Sequence, residues 1–291
     1  MQMASIKTKL KLLTVAAIPA IAVAATWEGL KLREYNIKTH KVNNSVSFVL
    51  LSDLHGSEFG EGQKKLLKII DKCSPDAVFL TGDIIDERRD YGGAMSLLEA
   101  IGKKYPCYYV PGNHEHRTGE IENIKKLFSS YGVFVLAGEG KPAMANGERI
   151  YVCGADEASE EQAFRRQLVR LNGEKDDSAF TVLMSHRPEK VGYYNLCSFD
   201  LVLCGHAHGG QVRIPYLLNG LYAPGQGVFP KYAGGEYKLD NGVMIVSRGL
   251  AKSNVPRIFN PPEVVKITLT PDTEGVSGDE TTDPGSVQES E

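Results

Sequence analysis

At 291 residues the chain has room for one large domain or two small ones. Apolar residues make up 42% and charged residues 24%, a balance that excludes a collagen-like, coiled-coil, polytopic membrane or wholly disordered protein. The net charge of -3 gives no pointer to a nucleic-acid surface, and residues 271–291 hold seven acids and no Lys or Arg, leaving the body slightly basic.

In chain order, Lys7, Lys9 and Lys11 precede an apolar stretch over residues 12–27. Its length falls between the core of a signal peptide and a spanning helix, and Ala22 and Ala24 stand in small-residue spacing for cleavage. We expect a signal peptide or signal-anchor helix over residues 1–27. The location expected is the cell membrane, with a single N-terminal anchor and the body on the extracytoplasmic side, or secretion if the chain is cut near Ala25. Residues 28–45 read as a charged connector, 46–270 as the folded domain and 271–291 as a disordered acidic tail.

Strands are expected over 47–51, 77–80 and 107–110, and helices over 63–73, 93–101 and 120–129. This alternation means βαβ units and a largely parallel sheet. Further strands are expected over 150–153, 180–184 and 201–204, with a helix over 161–171. Beyond Gly209 the chain is rich in Gly and Pro, and short strands over 243–246 and 264–269 suggest an antiparallel second half. The five cysteines (Cys73, Cys107, Cys153, Cys197, Cys204) lack CxxC spacing and mostly flank apolar runs, so they read as core residues rather than a disulfide framework or a zinc site.

Polar residues gather where strands end: Ser52-Asp53-Leu54-His55-Gly56, Thr81-Gly82-Asp83, Pro111-Gly112-Asn113-His114-Glu115, Ser185-His186-Arg187 and Gly205-His206-Ala207-His208-Gly209-Gly210. Five of the seven histidines lie in these loops. The C-terminal edge of an open α/β sheet is where ligands bind. Imidazole, carboxylate and amide oxygen together suit divalent ions such as Mn, Zn, Fe or Co. His40 and His116 lie outside the pattern and read as surface histidines.

In order and spacing, Asp53-x-His55, Gly82-Asp83, Gly112-Asn113-His114-Glu115, His186 and Gly205-His206-x-His208 resemble the calcineurin-like metallophosphoesterase superfamily. The resemblance extends over residues 45–269. The stretch His208-Gly209-Gly210-Gln211-Val212-Arg213 and the closing Ser247-Arg248-Gly249-Leu250 are similar to the bacterial membrane-associated branch, some of whose members resemble phosphodiesterases of UDP-2,3-diacylglucosamine. The resemblance implies an α/β fold, a four-layer α-β-β-α sandwich of two mixed sheets flanked by helices. It implies two divalent metal ions, one held by Asp53, His55 and His208, the other by Asn113, His186 and His206, with Asp83 between them. The implied reaction is hydrolysis of a phosphodiester or pyrophosphate by a hydroxide bridging the ions. His114 is then the catalytic residue at the leaving oxygen, or else a hydrogen bonder behind the ligands, where Asp86 is also expected.

Gly82-Asp83-Ile84-Ile85-Asp86-Glu87-Arg88 lacks the Asp-Arg-Gly of the superfamily's protein phosphatases, which argues against phosphoprotein substrates. Arg88, Arg213, Arg248 and Arg257 are candidate phosphate contacts. A phosphomonoesterase on small substrates and a non-catalytic metal-binding scaffold are the alternatives. A metallo-β-lactamase-type hydrolase is excluded, because His-x-His-x-Asp-His is missing. The partners expected are a phosphoester substrate, lipid-linked in the leading reading, and the membrane through the N-terminal segment; no protein partner is expected.

Overall fold

The computed structural model describes residues 25–26, 29–157, 160–252 and 257–272. The expected leader lies outside these residues save for Ala25 and Thr26, and the expected tail save for Pro271 and Asp272. Among the described residues no helix is long and apolar enough to cross a membrane.

The chain opens with β1 (Lys31–Thr39) and β2 (Val46–Leu51). It continues through α1 (Lys64–Cys73), β3 (Ala77–Thr81), α2 (Gly92–Ile101), β4 (Cys107–Val110), the short α3 (Asn113–Arg117), α4 (Ile121–Ser130) and β5 (Phe134–Val135). The second half holds β6 (Glu139–Ala145), β7 (Glu148–Ala155), α5 (Glu161–Glu174), β8 (Phe180–Ser185), α6 (Val191–Tyr194) and β9 (Leu201–Cys204). A hairpin of β10 (Tyr222–Ala223) and β11 (Gly227–Val228) precedes β12 (Gly235–Lys238), β13 (Val243–Val246) and β14 (Glu263–Pro271).

Two six-stranded sheets result, ordered β1-β14-β2-β3-β4-β5 and β12-β13-β9-β8-β7-β6. Their strands carry apolar residues on both faces, because each face is covered. In β2 the side chains alternate: Phe48 and Leu50 enter the core between the sheets, whereas Val49 and Leu51 pack with Leu66, Ile70 and Leu97 of α1 and α2. In β8, Val182 and Met184 face the first sheet, while Leu183 packs with Leu168 and Leu171 of α5. The order of layers is therefore helix, sheet, sheet, helix, the expected four-layer sandwich.

Two local expectations change. The stretch 28–45, read as a connector, contains β1, which pairs in parallel with β14. As an edge strand it exposes most of its charged residues and buries only Ile37, so its strand period is weak in the sequence. The second half is not uniformly antiparallel. β14 runs antiparallel to β2, and β12 to β13, but β13 runs parallel to β9. Val243–Val246 is a continuous apolar run, which signals an interior strand and carries no information on direction.

Candidate metal centre

The C-terminal ends of β2, β3, β4, β8 and β9 meet at one edge of the sandwich. Backbone bonds zip the loops together: Asp53 N–H donates to Gly82 O at 3.0 Å, His55 N–H to Asp83 O at 2.9 Å, and Gly205 N–H to His186 O at 3.0 Å. These approaches need glycine. A Cβ on Gly82, whose φ is +80°, would lie 2.7 Å from the Gly112 backbone, and one on Gly205 would lie 1.8 Å from Ser52 Oγ. Five of the seven expected ligands, Asp53, His55, Asp83, His206 and His208, take φ between 47° and 66°. Non-glycine residues seldom adopt that region, and such strain clusters at functional sites.

All seven expected ligands come together. The ligand atoms of Asp53, His55 and His208 lie within 4.8 Å of one another, as do those of Asp83, His186 and His206. Asp83 Oδ2 is 3.1 Å from His186 Nε2 and 3.8 Å from His55 Nε2, so its carboxylate stands between the groups. Asn113 joins the second group: one end of its amide is 2.9 Å from His206 Nδ1, which in turn is 3.1 Å from His186 Nε2. Turned with nitrogen to His206 the amide makes a hydrogen bond; turned with oxygen there, it offers a fourth ligand beside Asp83, His186 and His206.

This donor set fits divalent ions. His55 Nε2 and Asp83 Oδ2 are buried without hydrogen-bond partners and face each other, an arrangement that needs a cation or a proton. Burial, with the neighbouring His186, lowers His206 to about 2, and burial lowers His208 to about 4. Burial works against charge on His186 too, but the Asp83 carboxylate raises it to about 10. Burial opposes the charge on Asp83 as well, yet its histidine neighbours hold it well below the usual carboxylate range.

Groups behind the ligands orient them. Asp86 Oδ2 is 2.8 Å from His55 Nδ1, where the sequence placed it, and Thr81 O is 2.8 Å from His186 Nδ1. Each bond turns the opposite ring nitrogen toward the centre. His114 lies beside the first group, its ring 4.6 Å from that of His55. Its Nδ1 is 2.7 Å from Glu87 Oε2, and its Nε2 is 3.3 Å from Arg117 Nη1. Glu115 is fully buried and accepts backbone N–H groups from Asp83, Ile84, Ile85 and Gly112.

Sequence reasoning did not single out Glu87, Arg117 or Glu189, the last with Oε1 3.8 Å from His206 Nε2. Glu87 follows Asp86 directly, and its proximity was the one local signal. Of the candidate arginines, Arg88 lines a cleft of about 390 Å³ together with His55, Asp86, Arg89, His208 and Gln211. Arg248 and Arg257 are buried and serve the fold: Arg248 bonds to Glu263 and Gly234 O, and Arg257 to the carbonyls of Asn260 and Ala251. Arg213 bonds to Asn219 O. His40 is exposed, whereas His116 is tied to Asp156 at 2.8 Å. All five cysteines are buried free thiols, and burial pushes Cys107 and Cys153 up to about 12.

A two-sheet sandwich with clustered histidines and carboxylates at one strand edge is the arrangement of a metal-binding protein. The family model for calcineurin-like phosphoesterases matches residues 46–210, and the chain belongs to that family of metallophosphoesterases. It is 27% identical over 251 residues to the metallophosphoesterase YkuE of Bacillus subtilis, covering 82% of this chain and 85% of that one. A metallophosphoesterase of Helicobacter pylori is 28% identical over 256 residues, covering 84% of this chain and 66% of its own length. Among solved structures, the phosphopantetheinyl hydrolase of Mycobacterium tuberculosis aligns with a TM-score of 0.44 at 12% identity, over 81% of this chain and 100% of that one.

Proposed function

We propose that the chain hydrolyses a phosphodiester or pyrophosphate on a lipid-linked substrate resembling UDP-2,3-diacylglucosamine, on the extracytoplasmic side of the cell membrane. The observation that carries the hydrolytic part is the position of Asp83 between two buried ligand groups. Asp53, His55 and His208 would hold one divalent ion and Asn113, His186 and His206 the other, with Asp83 shared. Two such ions, when bound, supply charge neutralisation at a phosphoryl group and acidify water.

The protein's own groups do the rest. Asp86 and Thr81 fix the faces that His55 and His186 present. Glu87 holds Nδ1 of His114, which leaves Nε2 as the atom that passes a proton to the leaving oxygen. Arg117, beside that nitrogen, and Arg88, in the cleft, are cationic contacts for substrate oxygens. The membrane part rests on the apolar residues 12–27 behind three lysines, because a tether concentrates an enzyme at the surface bearing its substrate.

The test is turnover of bis-p-nitrophenyl phosphate against p-nitrophenyl phosphate with Mn, Zn, Fe or EDTA, with Asp83→Asn and His114→Ala beside the wild type. We expect metal-dependent turnover that favours the diester and collapses in both variants. A monoester preference would move the reading to phosphomonoesters. Silence on both compounds and on lipid pyrophosphates in mixed micelles would leave a metal-binding scaffold.

A further inference from the structure

Of the twelve large apolar side chains exposed among the described residues, seven lie between positions 214 and 229. Tyr216 is fully exposed, and Leu217, Phe229 and Val228 are 81%, 67% and 62% exposed. Scattered surface apolar residues need no explanation, but a concentration of them does.

These residues form two adjoining tips. The first is a tight turn in which Leu218 N–H donates to Ile214 O at 2.8 Å, with Tyr216 and Leu217 at its apex. The second is the open end of the β10–β11 hairpin, where Tyr222 stands opposite Val228 and Phe229 N–H donates to Leu221 O at 2.8 Å, while the turn at Gly225 lies against Glu189. Between Gln211 and Lys231 the sequence carries Arg213 and Lys231 and no acid.

The root of this excursion joins two places. Leu221 N–H donates to Gly210 O at 2.9 Å, and a Cβ on Gly210 would lie 2.3 Å from Gly220 Cα, so the tips are pinned to the loop that carries His208. On the other side Val212 bridges to Ile258, and the next residue, Phe259, donates its N–H to Ala25 O at 2.7 Å. Ala25 lies near the end of the apolar stretch of residues 12–27. Ala25 and the root of the excursion are therefore joined through the short stretch Ile258–Phe259.

We infer that the 214–229 excursion is a membrane-contact surface that rests in the lipid headgroup and upper acyl region, its occupant being the bilayer that also receives the N-terminal segment. Exposed tyrosines, aliphatic and phenyl groups together with basic residues and no acids are the composition of an interfacial element. Because Gln211 lines the cleft and begins the excursion, seating the tips in lipid brings the mouth of the cleft to the membrane surface. The inference deepens the membrane-side reading and rests on it.

The test uses the full chain, with Trp27→Phe removing the single native tryptophan, in phosphatidylcholine/phosphatidylglycerol vesicles whose acyl chains are brominated. Tryptophan is placed by Phe229→Trp at a tip, or by Met144→Trp on an exposed position of β6, the far edge of the second sheet. We expect the Phe229→Trp reporter to be quenched at least twofold more than the Met144→Trp reporter. Equal quenching overturns the inference, and equal quenching with concentration-dependent dimerisation assigns the tips to a second copy of the chain. Because the readout needs no turnover, it stays separate from the hydrolytic reading. Leu217→Asp with Phe229→Asp should lower turnover of a vesicle-borne phosphodiester severalfold and leave soluble bis-p-nitrophenyl phosphate turnover unchanged; equal vesicle turnover also counts against lipid contact.

Discussion

Glu115 accepts, through the single oxygen Oε2, the backbone N–H of Asp83 and that of Gly112, each at 2.9 Å. One buried carboxyl thus ties the turn after β3 to the turn after β4, and with them the shared carboxylate and Asn113. Burial and the charge of Asp83 push Glu115 up to about 7, while the backbone N–H groups of Ile85 and Gly112 and the neighbouring His186 pull the other way. In Glu115→Gln an amide N–H₂ would face backbone donors. We expect a loss of about 3 kcal/mol in urea unfolding and reduced metal content by elemental analysis. Unchanged metal retention would show that the two turns hold their places without this tie.

The contact between His114 and Glu87 separates chemistry from binding. His114→Ala should lower kcat about 100-fold or more. Glu87→Gln should lower it at least about tenfold with KM little changed, since a misoriented imidazole acts like a missing one. Both losses should grow for diesters with poorer leaving groups, where a proton is most needed. A loss independent of the leaving group would assign both residues to packing.

Asp86 is tested through the metal rather than the rate. Asp86→Asn keeps the size of the side chain and removes the carboxylate from His55 Nδ1. Metal affinity, read by chelator competition, should fall about 10- to 100-fold. Activity at saturating metal should recover most of the wild-type value.

An acid-sensitive contact lies on the flank of the site. Burial works to raise Asp156, but the hydrogen bond with His116 at 2.8 Å and the Lys125 ammonium at 3.1 Å hold it below the ordinary carboxylate range. A depressed carboxyl contributes stability that is complete above its unfolded value of about 4 and is lost as pH falls through the lower folded value. Asp156→Asn should therefore cost about 1–2 kcal/mol at pH 7. It should also flatten the fall in stability below about pH 4, as seen in urea midpoints across pH.

Much of this was legible in the sequence because polarity changes abruptly where interior strands end. The run 201–204 stops at Gly205-His206, and the expected strand and the observed β9 coincide. The expected ligands sit within a few positions of such breaks, so their convergence followed from the sheet. β1 escaped notice because an edge strand can keep its charges in water. Glu189 did too: it lies in a short turn after β8, and only the return of the chain through Gly225 and His206 gives it neighbours. The excursion at 214–229 read only as Gly- and Pro-rich text, since exposure is a property of the folded chain.

Metal removal should act on the whole molecule. Asp53, His55, Asp83 and Asn113 follow strands of the first sheet; His186, His206 and His208 follow strands of the second. Ions held between them bind the folded state alone, so metal at 100 times its dissociation constant should add about 2.7 kcal/mol. Calorimetry with and without EDTA should show a rise of several degrees in Tm. A Tm indifferent to metal would mean that no ion spans the seam.

That seam also makes the centre a record of completed assembly. Neither sheet alone carries all seven expected ligands, so a chain with one sheet in place lacks part of the proposed centre. The last strand, β14, lies between β1 and β2, so even the first sheet is complete only when the end of the chain has joined it.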